Sequence, residues 1–190
     1  MRRRTVLAVL LILGGCGSSP KTQFYTLVPK PPAGQPARVM QAEPPLVVGR
    51  VALPGTLDRA ALVTQGPGPA ISVSSDERWV APLDELVRRA LTDDLRARLG
   101  AAAVLAPGDP SPPGGARRVV LTVQRFSADS SGMVVLEADW TLATGNPPKA
   151  GKIRHVRIAE SAGSAEGDAV ANAMSRALGE LADDLSRASG

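Results

Sequence analysis

The chain has 190 residues, of which 44% are hydrophobic and only 3% aromatic, with one cysteine and a formal net charge of +4. Arg2, Arg3 and Arg4 supply most of that excess: the 22 Lys and Arg less these three leave 19 against 18 Asp and Glu. The rest of the chain is therefore nearly neutral and lacks the basic stripe with interleaved aromatics of a nucleic-acid surface. A lone cysteine excludes an internal disulfide, and so few aromatics leave the core to Leu, Val, Ile and Ala.

The first fifteen residues read as an export signal. The three arginines form a positive n-region, and Val6 to Leu13 form an apolar run too short to span a bilayer as a stable helix. Leu13-Gly14-Gly15-Cys16 has the form of a bacterial lipobox, so Cys16 is expected to become the first mature residue and to carry lipid on its thiol and amino group. Two acyl chains suffice for stable anchoring where one does not, since each buried methylene contributes about 0.8 kcal/mol. Gly17 rather than Asp after that cysteine favours sorting to the outer membrane, facing the periplasm.

Residues 16–45 have the Pro- and Gly-rich composition of a tether, holding 7 of the 17 prolines between Gly17 and Pro45. Phe24-Tyr25-Thr26-Leu27-Val28 breaks that pattern, because a solvated linker has no use for a β-prone apolar run. This segment is expected to dock on the body as a strand or extended piece. Gly17 to Gln23 would then remain as a leash of about 25 Å.

The body is expected over 46–190. Leu46 to Leu53 reads as a strand ended by Pro54-Gly55, and Ala61–Thr64 and Ile71–Ser74 read as a hairpin around Gly66-Pro67-Gly68-Pro69. Leu83, Leu86, Val87, Ala90, Leu91, Leu95 and Leu99 recur at helical spacing, predicting a helix from Pro82 to Leu99 with Gly100 as its C-cap. Asp84–Arg88, Glu85–Arg89 and Asp94–Arg98 read as i,i+4 pairs on its wet side.

Ala101–Leu105 can form a short strand. In the next, longer strand Val119, Leu121 and Val123 alternate with Val120, Thr122, Gln124 and Phe126, predicting partial cover on both faces. Met133–Leu142 alternates as a half-buried antiparallel strand, Asn146-Pro147-Pro148 makes a loop, and Lys152–Ala159 reads as a third strand. A final helix is predicted from about Ala165 to Arg187, with Ser164 as N-cap and a stripe of Val170, Ala173, Met174, Ala177, Leu178, Leu181 and Leu185. Gly179 and the alanines allow close approach of a sheet or another helix. Together these elements predict an α+β, two-layer domain: a mainly antiparallel sheet packed by two main helices.

Little in the chain points to catalysis. His155, the one histidine, lies between Arg154 and Arg157 in a strand and reads as a surface residue. There is no G-x-S-x-G elbow, no P-loop and no dinucleotide fingerprint. Adjacent Asp93-Asp94 and Asp183-Asp184 point apart on their helices. No catalytic residue, cofactor or metal is expected, and an enzyme is not. Two stretches stand out instead as candidate interface: Asp58 and Arg59 after the first body strand, and Arg78 and Trp79 at the entrance of the first long helix. Trp79 reads as a lid on the core or as a partner-binding anchor, and Arg59 and Arg78 could form internal ion pairs or cross a subunit boundary.

These residues, with the lipobox, Phe24-Tyr25-Thr26-Leu27, Val48-Gly49 through Leu53-Pro54, Leu57-Asp58-Arg59, Leu62-Val63-Thr64 and Arg78-Trp79 with Ala81-Pro82-Leu83, give a chain that resembles the ABC-type transport auxiliary lipoprotein family. It departs from the family pattern at Thr56, Ala60 and the Gly66–Pro69 tip. The resemblance implies an accessory subunit that accompanies an MCE-domain protein and an inner-membrane transport complex in moving lipid between membranes. A homo-oligomeric docking collar at the outer membrane, maintaining membrane integrity, is the expected role. The alternative is a lipoprotein that itself binds and carries a lipid.

Overall fold

The computed structural model describes residues 21–32, 44–110, 112–145 and 149–189. In chain order it contains strands β1 (Gln23–Tyr25), β2 (Leu46–Ala52), β3 (Ala61–Gln65) and β4 (Ile71–Trp79), then helix α1 (Leu83–Leu99). A 3-10 turn over Ala101–Ala103 leads into β5 (Val104–Leu105), β6 (Arg117–Asp129), β7 (Met133–Thr144), β8 (Lys149–Ala150), β9 (Arg154–Ser161) and helix α2 (Gly167–Ser189). The signal segment, Cys16, most of the tether and the loop at 146–148 lie outside the described residues.

Among the described residues nine strands form one sheet built on β6. Antiparallel β7 pairs with β6 from Arg118 to Ala128 and so occupies one whole edge. The other edge is shared by β2, parallel against Arg117 to Thr122, and β3, parallel against Ala128 and Asp129. From β3 the sheet continues through antiparallel β4 to parallel β1; on the far side β9 runs antiparallel to β7. The α+β two-layer architecture follows the sequence pattern, and its longest ladders are antiparallel. The sheet as a whole is mixed, because β2 and β3 both run parallel to β6, β5 runs parallel to β2 and β1 runs parallel to β4.

Both helices bring apolar stripes to one layer. Leu86, Val87, Leu91 and Leu95 of α1 and Ala173, Leu178, Leu181 and Leu185 of α2 are buried together with Val119, Leu121 and Val123 of β6. The expectation that Phe126 shares a face with Val120, Thr122 and Gln124 is corrected, while partial cover of both faces holds at Phe126 and Ser127. Val120, Thr122 and Gln124 are exposed. A register shift between Val123 and Arg125 moves Phe126 and Ala128 to the core side. A bulge adds one residue to a two-residue repeat and thereby exchanges the faces, which strict alternation cannot anticipate.

The start of α2 is also corrected. Ser164 Oγ accepts from Glu166 N at 3.4 Å, but the first helical amide, Gly167 N, donates to Glu77 Oε1 of β4 at 3.0 Å. A carboxylate from another element caps this helix, at the positive end of its dipole.

Candidate functional site: the N-terminal strap and the sheet corner it forms

Residues 25–30 cross the helical layer as a strap. Tyr25 pairs with Trp79 through β1, and Val80 N donates to Tyr25 O at 2.9 Å. Partial burial and the neighbouring Glu77 carboxylate hold the Tyr25 phenol above its ordinary pKa. Leu27 enters the core with 6% exposure, a burial that stabilises by about 1.5–3 kcal/mol. Val28 N then donates to Ser175 Oγ at 3.1 Å, and Lys30 N to Asp94 Oδ1 at 2.6 Å. The strap thus runs along α2 and ends on α1.

Two glycines of α2 leave room for it. A Cβ at Gly167 would meet the Tyr25 ring at 2.6 Å, and one at Gly179 would meet the Lys30 Cβ at 3.1 Å. The close approach expected at Gly179 is therefore made by the strap and by Arg98.

Arg98 closes the arrangement. Its Nε donates to Asp183 Oδ1 at 2.6 Å, Nη1 to Asp94 O at 3.0 Å and Asp94 Oδ1 at 3.2 Å, and Nη2 to Lys30 O at 3.2 Å and Gly179 O at 2.8 Å. These five contacts match the five N–H groups a guanidinium offers. One side chain thereby joins α1, α2 and the strap. Asp94 is fully buried, its Oδ2 has no partner among the described residues, and burial raises its pKa against the opposing Lys30 amide and Arg98.

This overturns the reading of Asp94–Arg98 as a pair on the wet side, where the side chains would be solvated; they are 0% and 6% exposed. The helix pattern of α1 taken alone cannot show that a strap and a second helix cover that side. Asp183 belongs to the same cluster, while Asp184 pairs with Arg187.

The candidate interface residues divide. Trp79 is only 5% exposed and lies among Leu57, Val63, Leu83, Phe126 and Met174, so its indole is part of the core. Asp58 and Arg59 are exposed on a turn where Leu57 N and Asp58 N donate to Pro54 O at 2.9 and 3.3 Å. Leu57, plugged into the core, holds that turn down. Arg78 is exposed on the face opposite Trp79, in register with Phe24 on one side and Ala61 on the other. Among the described residues neither Arg59 nor Arg78 makes an ion pair.

Sequence reasoning missed Phe24 and Val80, which are 63% and 59% exposed. The signal was available: if Tyr25, Leu27 and Trp79 point inward, alternation sends Phe24, Val28 and Val80 outward. His155 lies on the exposed sheet face, with Nδ1 at 2.9 Å from Asp139 Oδ1, beside a Gln124 amide that donates to the same carboxylate. Among the described residues no group of His, Cys, Asp and Glu could hold a metal, and no helix is long and apolar enough to cross a membrane.

A two-layer α+β body with its N-terminal strap locked across both helices defines the class: a domain whose N-terminal segment is keyed into its helical layer and whose exposed features are surfaces. The chain belongs to the ABC-type transport auxiliary lipoprotein family, whose profile matches residues 25–186. This is a family of transport components, not of enzymes. The chain is 26% identical over 143 residues to the intermembrane transport lipoprotein PqiC of Escherichia coli K12, covering 75% of this chain and 74% of that protein, and equally to PqiC of Shigella flexneri. Two crystal structures share the fold. One, of an uncharacterized protein, has a TM-score of 0.72 at 19% identity over 89% of this chain and 99% of its own. The other, protein XCC0632 from Xanthomonas campestris, has a TM-score of 0.64 at 17% identity over 86% and 92%.

Proposed function

We propose that this transport auxiliary lipoprotein is anchored through acylated Cys16 in the outer membrane, facing the periplasm, as an accessory subunit of an MCE/ABC-type envelope lipid-transport system. Several copies form a docking collar for the end of an MCE assembly, and the collar maintains membrane integrity by keeping lipid traffic on its path. The observation that carries this reading is the strap. A segment keyed to β4, α1 and α2 makes the orientation of the whole domain follow from where its N-terminus is held, as a collar requires. The name of the relatives, intermembrane transport lipoprotein, supports the same assignment.

Asp58 and Arg59, exposed on a turn pinned by Leu57, are the residues we assign to contacts between copies or with the MCE protein, with Trp79 supporting that surface from beneath. A carrier would instead need room for a lipid. Among the described residues, the concavity beneath Trp79, lined by Leu57, Val63 and Phe126, and the one between Leu62, Ser72 and Asp129 hold about 10 and 170 Å³, below the ~300–1,000 Å³ of ordinary small-molecule pockets. The collar is the reading the geometry favours.

The test is affinity capture of the full acylated chain from membranes. An MCE-domain protein should be enriched with the native sequence, and Cys16→Ala should shift the chain out of the outer-membrane fraction and lose the partner. Capture without any MCE protein would overturn the assignment. Stoichiometric lipid on the Cys16→Ala chain by native mass spectrometry would replace it with the carrier.

A further inference from the structure

We propose that the sheet corner formed by Phe24, Arg78 and Val80 rests directly on the headgroup region of the bilayer that holds the anchor. The inference depends on acylation of Cys16 and adds a second membrane contact made by the folded body itself.

Phe24 and Arg78 are register partners on β1 and β4, and Val80, whose amide is bonded to Tyr25 O, follows Arg78 by one strand repeat. All three therefore project to the side away from buried Trp79. Large apolar side chains at 63% and 59% exposure are costly in water when they lie together, and Val28, at 47%, extends the stripe along the strap. Lys21 and Arg78 stand exposed around it. Apolar side chains flanked by cations that make no ion pair among the described residues match an interface of acyl chains and anionic headgroups, where burial and charge attraction add.

Chain length selects this occupant. Only Gly17 to Gln23 separate Cys16 from the start of β1 plus one residue, a reach of at most about 25 Å. Phe24 is the first residue of the described body beyond that leash to carry a large apolar side chain, so it lies on the membrane-proximal part of the molecule. The strap beyond it is locked by Arg98, so the corner cannot turn away independently of the helices. A second copy adding a strand to β1 would find only three residues of ladder.

The experiment uses the full acylated chain in phosphatidylethanolamine/phosphatidylglycerol vesicles. Phe24→Cys and Val80→Cys, both at exposed positions, are labelled with a polarity-sensitive fluorophore. Ile153→Cys, equally apolar and 67% exposed beside β9 at the opposite edge of the sheet, is the control. The expected result is a blue shift, with loss of emission to a lipid-borne quencher, at 24 and 80 but not at 153. If all three labels stay in water while the parent chain, with its one thiol acylated, takes no label, the corner does not touch the bilayer and the anchor stands. Shielding at 24 and 80 that ignores the lipid-borne quencher would assign the corner to a second copy and overturn the inference. Labelling of Cys16 in the parent chain would remove the anchor, and the inference with it.

Discussion

Arg98 directs its guanidinium at a carboxylate on each helix and at three backbone carbonyls, one of them in the strap. Burying such a charge is costly, and removing one partner leaves the other unpaired, at about 3–5 kcal/mol. We expect Arg98→Ala to destabilise the fold by that amount, since Asp94 would then face the core with a single amide donor, and a shift in urea midpoint measures it. Asp129 tests the opposite situation, a half-buried carboxylate at the end of β6. Ser131 Oγ, Met133 N and Ser131 N hold its pKa below the ordinary 3.8. The group is therefore ionised more readily folded than unfolded, so its contribution is complete above the ordinary value and is lost as pH falls through the depressed one. Asp129→Asn should flatten the acid limb of the stability profile, read as urea midpoint against pH, with little change near neutrality. Neither role was visible in the chain. Asp94 and Arg98 carry the same i,i+4 spacing as Asp84 and Arg88, and only what lies against the helix distinguishes a buried pair from a solvated one.

At the scale of elements, the strap couples the N-terminus to α2 at Gly167, Ser175 and Gly179 and to α1 at Asp94 and Arg98. Gly167→Ala adds a methyl against the Glu77 carboxylate and the Tyr25 ring. Overpacking of this kind costs about 1–3 kcal/mol, more than the few tenths that helix propensity returns at a first helical position. We expect the variant to release the strap before the body unfolds. Limited proteolysis should then cut within 21–32 faster than in the native chain, while α2 remains protected; simultaneous loss of both would show that strap and body are one cooperative unit. The two helices were legible because each carries a continuous stripe, from Leu83 to Leu99 and from Val170 to Leu185. The docking segment was legible as an apolar run in a tether. Its path was not, because Ser175, Gly179 and Asp94 have no sequence relation to Val28 and Lys30. The inward turn of Phe126 was likewise hidden in a bulge.

At the scale of the whole molecule, a collar requires several copies. Light scattering of the full chain in detergent should give a stable ring-sized mass, and Arg59→Glu should lower it without moving the urea midpoint, because Arg59 makes no ion pair within the described chain. A strict monomer would assign assembly to the partner complex. The order and type of the main elements, and the family motifs that tie Phe24-Tyr25 to Arg78-Trp79, could be read from the chain alone. These are local signals: periodicities of two and 3.6, and short spacings that survive translation into structure unchanged. That the sheet is mixed, that Trp79 lies in the core while Arg78 and Phe24 face outward, and that one ion pair of α1 is a buried clasp emerge only once the elements pack. Those outcomes depend on which surfaces meet across 50 to 150 residues of chain, and burial, unlike periodicity, belongs to both partners at once.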